Sequence, residues 1–179
     1  MAKEYIITMT AANRVGILSA VTKAMAELDG DLREASQTVV RGFFTMIFSA
    51  EFPEQLDSDV ICAHLQDACR PFGIDFGLKD PANERLRESI NGSSRLYSLR
   101  LGGLNQPGVL RQLSSVMALH RIDIAGMHAV RTGDSTGFEM VMKIAVPVDF
   151  DIDSLLRELH ETGEPFQMTA DISDYTDHA

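Results

Sequence analysis

The 179-residue chain is poor in cysteine, in positive charge and in long apolar runs, and each shortage closes off a class of protein. Two cysteines, Cys62 and Cys69, cannot build a disulfide framework. With no Cys-x-x-Cys and with His64 turned about 200° around a helix from Cys62, they make a poor metal site and read as small buried or half-buried thiols. Sixteen Lys and Arg face 26 Asp and Glu, a formal charge of −10, which repels phosphate backbones and anionic lipid unless a local basic patch offsets it. No basic domain is hidden in that sum, because positions 1–80 hold 7 basic and 12 acidic residues and positions 97–179 hold 6 and 12. Arg85, Arg87 and Arg95 are the one basic concentration, and Glu84 and Glu88 interleave with them as in a salt-bridged linker.

Other absences point the same way. No segment approaches the roughly 18 uninterrupted apolar residues of a membrane span, and the start MAKEYIITM lacks the apolar stretch and cleavage site of a signal peptide. A soluble, cytoplasmic protein is expected, with no direct nucleic-acid partner and no membrane partner. No Gly-x-x-x-x-Gly-Lys phosphate loop, Gly-x-Ser-x-Gly elbow or His-Glu-x-x-His helix occurs. The acidic run Asp149 to Asp153 lacks the ligand density and the glycine of a calcium loop. No catalytic residue, metal or cofactor is expected.

What the chain does have is a globular composition, 45% hydrophobic and 23% charged, and an internal repeat. Shifted by 92 residues, Tyr5, Asn13, Gly16, Leu18, Met25 and Asp31 fall on Tyr97, Asn105, Gly108, Leu110, Met117 and Asp123. At a shift of 94, Phe44, Met46, Pro53, Leu65 and Phe72 meet Phe138, Met140, Pro147, Leu159 and Phe166, so the second copy carries two extra residues in its Thr132 to Gly137 turn.

Each copy predicts the same elements. Tyr5, Ile7 and Met9, like Tyr97, Leu99 and Leu101, alternate as a half-buried strand does. Ile17, Leu18, Val21, Met25 and Leu28, matched by Val109, Leu110, Leu113, Met117 and His120, form one face of a helix, where His120 is expected to cap carbonyls. A poorly alternating stretch from Asp31 to Val40, or Asp123 to Arg131, is expected as an edge strand, with His128 exposed on it. It turns at Arg41-Gly42, or at Thr132 to Gly137, into the regular alternation of Phe44 to Phe52 or Phe138 to Val146. Methionines 46, 140 and 142 fall on the core face there. A second helix runs from about Asp57 to Arg70 with Ile61, Leu65 and Ala68 inward; its counterpart starts near Asp151 with Leu155, Leu156 and Leu159. A last strand carries Ile74, Phe76 and Leu78, or Met168, Ala170 and Ile172.

The order βαββαβ, twice, predicts an α+β fold of two tandem ferredoxin-like domains, with both helices of each on one face of a four-stranded antiparallel sheet. About 80 residues is small for a lone core, so the two are expected to pack on each other as an intramolecular pseudo-dimer. The expected division is a first domain over 1–80, a linker over 81–96, a second domain over 97–173 and a frayed acidic tail over 174–179.

The loop after each first strand carries a resemblance. Asn13-Arg14-Val15-Gly16-Ile17-Leu18 and Asn105-Gln106-Pro107-Gly108-Val109-Leu110, each followed by a helix and then by Asp31-Leu32 or Asp123-Ile124, resemble the first loop and second strand of ACT domains. Two copies on a short linker resemble the tandem-ACT family that includes the glycine cleavage system transcriptional repressor. The resemblance implies a regulatory module binding a small amino acid, of the glycine or serine class, where one domain's loop meets a neighbouring domain. It implies contacts from Asn13, Gly16, Ile17, Leu18, Asp31 and Leu32, and from Asn105, Gln106, Gly108, Val109, Leu110, Asp123 and Ile124. Val15 stands where the family usually has Pro, Asp31 and Asp123 replace the commoner Asn, and Ala11 and Gly103 occupy the place of a His found in some serine-binding members.

The residue chemistry is compatible with that implication, since Asn can meet a carboxylate or an ammonium and free amides at a helix start favour a carboxylate. It is equally compatible with Asn13 and Asn105 simply capping their helices, and with Asp31 and Asp123 as solvated turn residues. The expected function is non-catalytic amino-acid sensing that regulates a protein partner, a transcription factor or a metabolic enzyme. The alternative is a detached regulatory subunit of an amino-acid or one-carbon enzyme. Either leaves room for a homodimer, whereas direct DNA repression would require a local basic patch.

Overall fold

The computed structural model describes residues 2–83, 93–133 and 135–176. The expected linker core at positions 84–92, with Arg85 and Arg87, and the end of the tail with His178, lie outside the described residues. The chain divides into two compact units, Met1–Leu86 and Arg87–Ala179.

The first unit runs β1 (Ala2–Ala12), α1 (Ile17–Ala26), β2 (Asp31–Val40), β3 (Phe43–Pro53), α2 (Ser58–Ala68) and β4 (Asp75–Lys79). The second runs β5 (Ser94–Leu104), α3 (Val109–Leu119), β6 (Asp123–Thr132), β7 (Gly137–Pro147), α4 (Ile152–Gly163) and β8 (Thr169–Asp174). Each builds a four-stranded antiparallel sheet, in the order β2-β3-β1-β4 or β6-β7-β5-β8. The ferredoxin-like βαββαβ plan is therefore present twice, with β2 and β6 at sheet edges.

Poor alternation in those edge strands has a local cause. Register slips between Leu32 and Glu34 against β3, and between Ile124 and Gly126 against β7, so Arg33 and Ala125 are bulged. An extra residue exchanges the two faces of a strand, which breaks a period of two in the sequence.

Alternate residues of the central strands meet the helices in two matching cores. Tyr5, Ile7, Phe48 and Phe52 pack with Val21, Met25, Ile61 and Leu65 in the first; Leu99, Met142 and Ile144 pack with Leu113, Met117, Leu155 and Leu159 in the second. Helix α2 presents Ile61, Leu65 and then Cys69 to this core, while Ala68 is exposed. The helix follows a spacing of four at its end where three was expected. Burial pushes the Cys69 thiol pKa up, as for an inert core residue. Asp57 and Asp151 cap α2 and α4, accepting from the N–H of Asp59 and Asp153 at 3.4 and 3.1 Å.

His120 stands at the C-cap of α3, where its backbone N–H donates to the Val116 carbonyl at 3.3 Å. Its side chain turns elsewhere: Nε2 lies 2.6 Å from Glu158 on α4, with the ring tilted on Phe150 at 4.7 Å, so it ties two helices together. In the first unit the same link is made with the roles exchanged, Glu27 on the α1 side and His64 on α2, at 3.0 Å. Past β8, the Tyr175 N–H donates to the Leu96 carbonyl and the Lys143 ammonium sits 4.1 Å from its ring centroid, so the chain is anchored to that point.

Candidate functional site

Antiparallel pairing decides which expected residues can meet. The last residue of β5, Leu104, pairs with Gly137, which pairs with Thr132 at the end of β6. The β5–α3 loop, residues 105–108, therefore emerges beside the end of β6 and the start of β7. Asp123 and Ile124 open β6 at the other end of the same sheet, roughly 27 Å away at about 3.4 Å per residue. Within each unit the structure brings the loop residues together and does not bring Asp31-Leu32 or Asp123-Ile124 to them. Asp31 instead pairs with Arg33 at 3.4 Å, and Arg33 also reaches Glu51 at 2.6 Å.

The loop itself is built on a glycine. Gly16 at φ 99° and Gly108 at φ 96° occupy the N-cap positions of α1 and α3 in the left-handed region, where a side chain is strained. Neither helix start receives a side-chain cap, so the amides of the first turn of α3 lack an acceptor within the helix. Asn105 thus stands outside the helix and does not cap it. Its side-chain N–H donates to the Ser135 carbonyl at 3.2 Å, and its backbone N–H to the Thr136 carbonyl at 2.8 Å. Asn13 repeats only the backbone bond, to Gly42 at 2.8 Å.

Between that loop, the first turn of α3 and the ends of β6 and β7 lies a groove of about 400 Å³. Phe138, Met140, Val130 and Leu110 supply apolar walls, and Asn105, Gln106, Arg111 and Arg131 supply the polar ones. Both guanidinium groups lack an ion-pair partner among the described residues, and no acidic side chain lines the groove. Expected residues Asn105, Gln106, Gly108, Val109 and Leu110 all line it. Arg111, Arg131, Val130, Phe138 and Met140 were missed as site residues. The repeat held a signal for the two arginines, because Ser19 and Val39 occupy their places in the first copy.

Other hollows do not match this one in chemistry. A groove of about 290 Å³ on the open face of the first sheet is lined by Ile6, Ile47 and Phe48 with Glu34. Another of about 410 Å³ lies around Tyr97, Leu156 and Ile172 with Asp153 and Asp174. Their charged groups are carboxylates alone, and neither touches a strand–helix loop. Among the described residues no cluster of His, Cys, Asp and Glu could hold a metal, and no helix is long and apolar enough to cross a membrane.

Comparison with known proteins agrees with the fold. The family model described as ACT domain matches residues 97–164. A protein named UPF0237 protein from Methanosarcina acetivorans is 38% identical over 64 residues, 36% of this chain and 70% of that one. Another, from Corynebacterium glutamicum, is 36% identical over 73 residues, 41% of this chain and 79% of that one. Among solved structures, an unknown protein from Galdieria sulphuraria superposes with a TM-score of 0.82 at 17% identity, covering 98% of this chain and 100% of that one. A structure assigned to a glycine cleavage system transcriptional repressor gives a TM-score of 0.66 at 12% identity, covering 98% and 99%. At those identities the two superpositions establish the tandem fold.

Proposed function

The chain belongs to the ACT-domain family, and from that premise we propose that it is a non-catalytic regulatory protein that binds a small amino acid at its strand–helix loop and signals to a protein partner such as a transcription factor. The observation that carries this reading is the groove of the second unit, where the β5–α3 loop, a free helix start and an apolar wall converge. Such a mix of apolar lining and a few placed polar groups is the usual make-up of a small-molecule site. The formal charge of −10 favours protein and metabolite partners over DNA. Coupling of ligand to partner is reciprocal, so the partner changes ligand affinity by the factor with which the ligand changes the partner's.

A thermal-shift panel of the common amino acids tests the reading. A ligand at ten times its dissociation constant adds about 1.4 kcal/mol, which moves a chain of this size by roughly 2–6 °C. A panel in which no amino acid moves the midpoint at millimolar concentration removes the sensor. Co-purification then separates a transcription factor from a metabolic enzyme as the regulated partner.

A further inference from the structure

We infer that the groove of the second unit takes an organic anion with two carboxylates, an acidic amino acid or its amine-free analogue, in place of glycine or serine. This rests on reading the groove as the ligand site and goes beyond it in assigning the ligand's charge. Arg111 stands in the first turn of α3 and Arg131 near the end of β6, so two elements bring two arginines to the lining of one hollow. Each fork can hold a carboxylate through two parallel N–H···O bonds. Neither is neutralised by a carboxylate of the described chain, although acidic residues outnumber basic ones 26 to 16. The Val109 N–H is taken by the Gln106 carbonyl, but the next amides of α3, at Leu110 and Arg111, have no partner among the described residues and add donors of the same sign.

An ammonium is poorly served in the same place. Among the described residues no Asp or Glu lines the groove, and its oxygen acceptors come from amides and the backbone. A zwitterion without further charge would leave one guanidinium unused. At about 400 Å³ the hollow sits near the lower end of small-molecule pockets, in keeping with a short dicarboxylate. The first unit carries Ser19 and Val39 at the corresponding positions, so this pair of arginines belongs to one copy.

Isothermal titration of the intact chain with aspartate, glutamate, succinate, glycine and serine tests the assignment, with inorganic phosphate as a generic anion. Variants R111S and R131V install the first unit's residues. Both side chains are exposed, and circular dichroism with the charge-keeping R111K controls for folding. The expected result is binding of at least one dicarboxylate, weakened about tenfold or more by R111S and by R131V, and retained better in R111K. Succinate binding as tightly as aspartate supports the two-carboxylate assignment while overturning the amino-acid part of the function proposed above. Glycine or serine binding with affinity unchanged in R111S and R131V overturns the assignment and leaves the sensor standing. Phosphate competing as well as the dicarboxylates also overturns it, and silence from every compound overturns both.

Discussion

The two units share a frame and differ in what they do with one corner of it. Both place a left-handed glycine at the first helix start, bulge the same position of the edge strand, and bind the loop backbone to the hairpin turn at 2.8 Å. Both also bridge their helices with a His–Glu pair: His64 and Glu158 hold the matched place on the second helix, whereas Glu27 and His120 stand one repeat position apart at the end of the first. Divergence gathers where the fold makes no demand: Arg111 and Arg131 face Ser19 and Val39 across the repeat. Within one chain, repetition marks what holds the structure, and the two arginines mark where the copies part.

Four measurements can break or sharpen that comparison, and the largest effects are expected in the cores. Leu65 and Leu159 are matched, almost fully buried residues, so L65A and L159A should each cost about 2–5 kcal/mol in urea unfolding. Costs differing by more than that spread would show that the two cores are not equivalent. Next come the glycines, where G16A and G108A each force a side chain into the left-handed region at about 1–2 kcal/mol. The two costs should match, because the new methyl meets only an ordinary contact with the Phe72 ring at 3.4 Å in one unit and open space in the other, which leaves the backbone conformation as the shared cause. Unequal costs would place the strain elsewhere.

The asparagines give a smaller contrast. N105A loses a side-chain hydrogen bond worth about 1 kcal/mol, whereas N13A, whose side chain has no partner among the described residues, should stay within about 0.5 kcal/mol. Matched losses would mean the two loops are held alike. Smallest is an acid-side effect confined to the first unit, where the Lys3 ammonium 2.8 Å from Asp80 holds that carboxyl below its usual range. A depressed folded-state value stabilises above the unfolded value of about 3.9 and is lost as pH falls through the folded one. The urea midpoint should therefore slope less between about pH 5 and pH 2 in D80N than in the parent, and parallel slopes would remove the contribution.

Much of this frame was legible in the sequence because it rests on periodicity, which records burial directly. The central strands and all four helices were readable that way. Ala68 was misassigned because a helix face drifts between spacings of three and four, and only packing chose Cys69. The site was half legible. Loop residues sit together in the chain, but Arg111 and Arg131 are twenty positions apart, one on α3 and one on β6, and come to line one groove only in the folded unit. Asn105 could not be told from a helix cap until Gly108 was seen to occupy that position and to leave the asparagine to the turn.

The bonds from loop to hairpin also set a clock. The backbone amides of Asn13 and Asn105 lie in exposed loops, yet each is engaged by a carbonyl across the sheet end. Such an amide exchanges its hydrogen with solvent only when the loop lifts away from the turn, so its rate reports that local opening alone. The chain therefore carries two built-in probes at matched positions, one beside each loop. A ligand seated in the second groove would slow the Asn105 amide and leave Asn13 as its internal control.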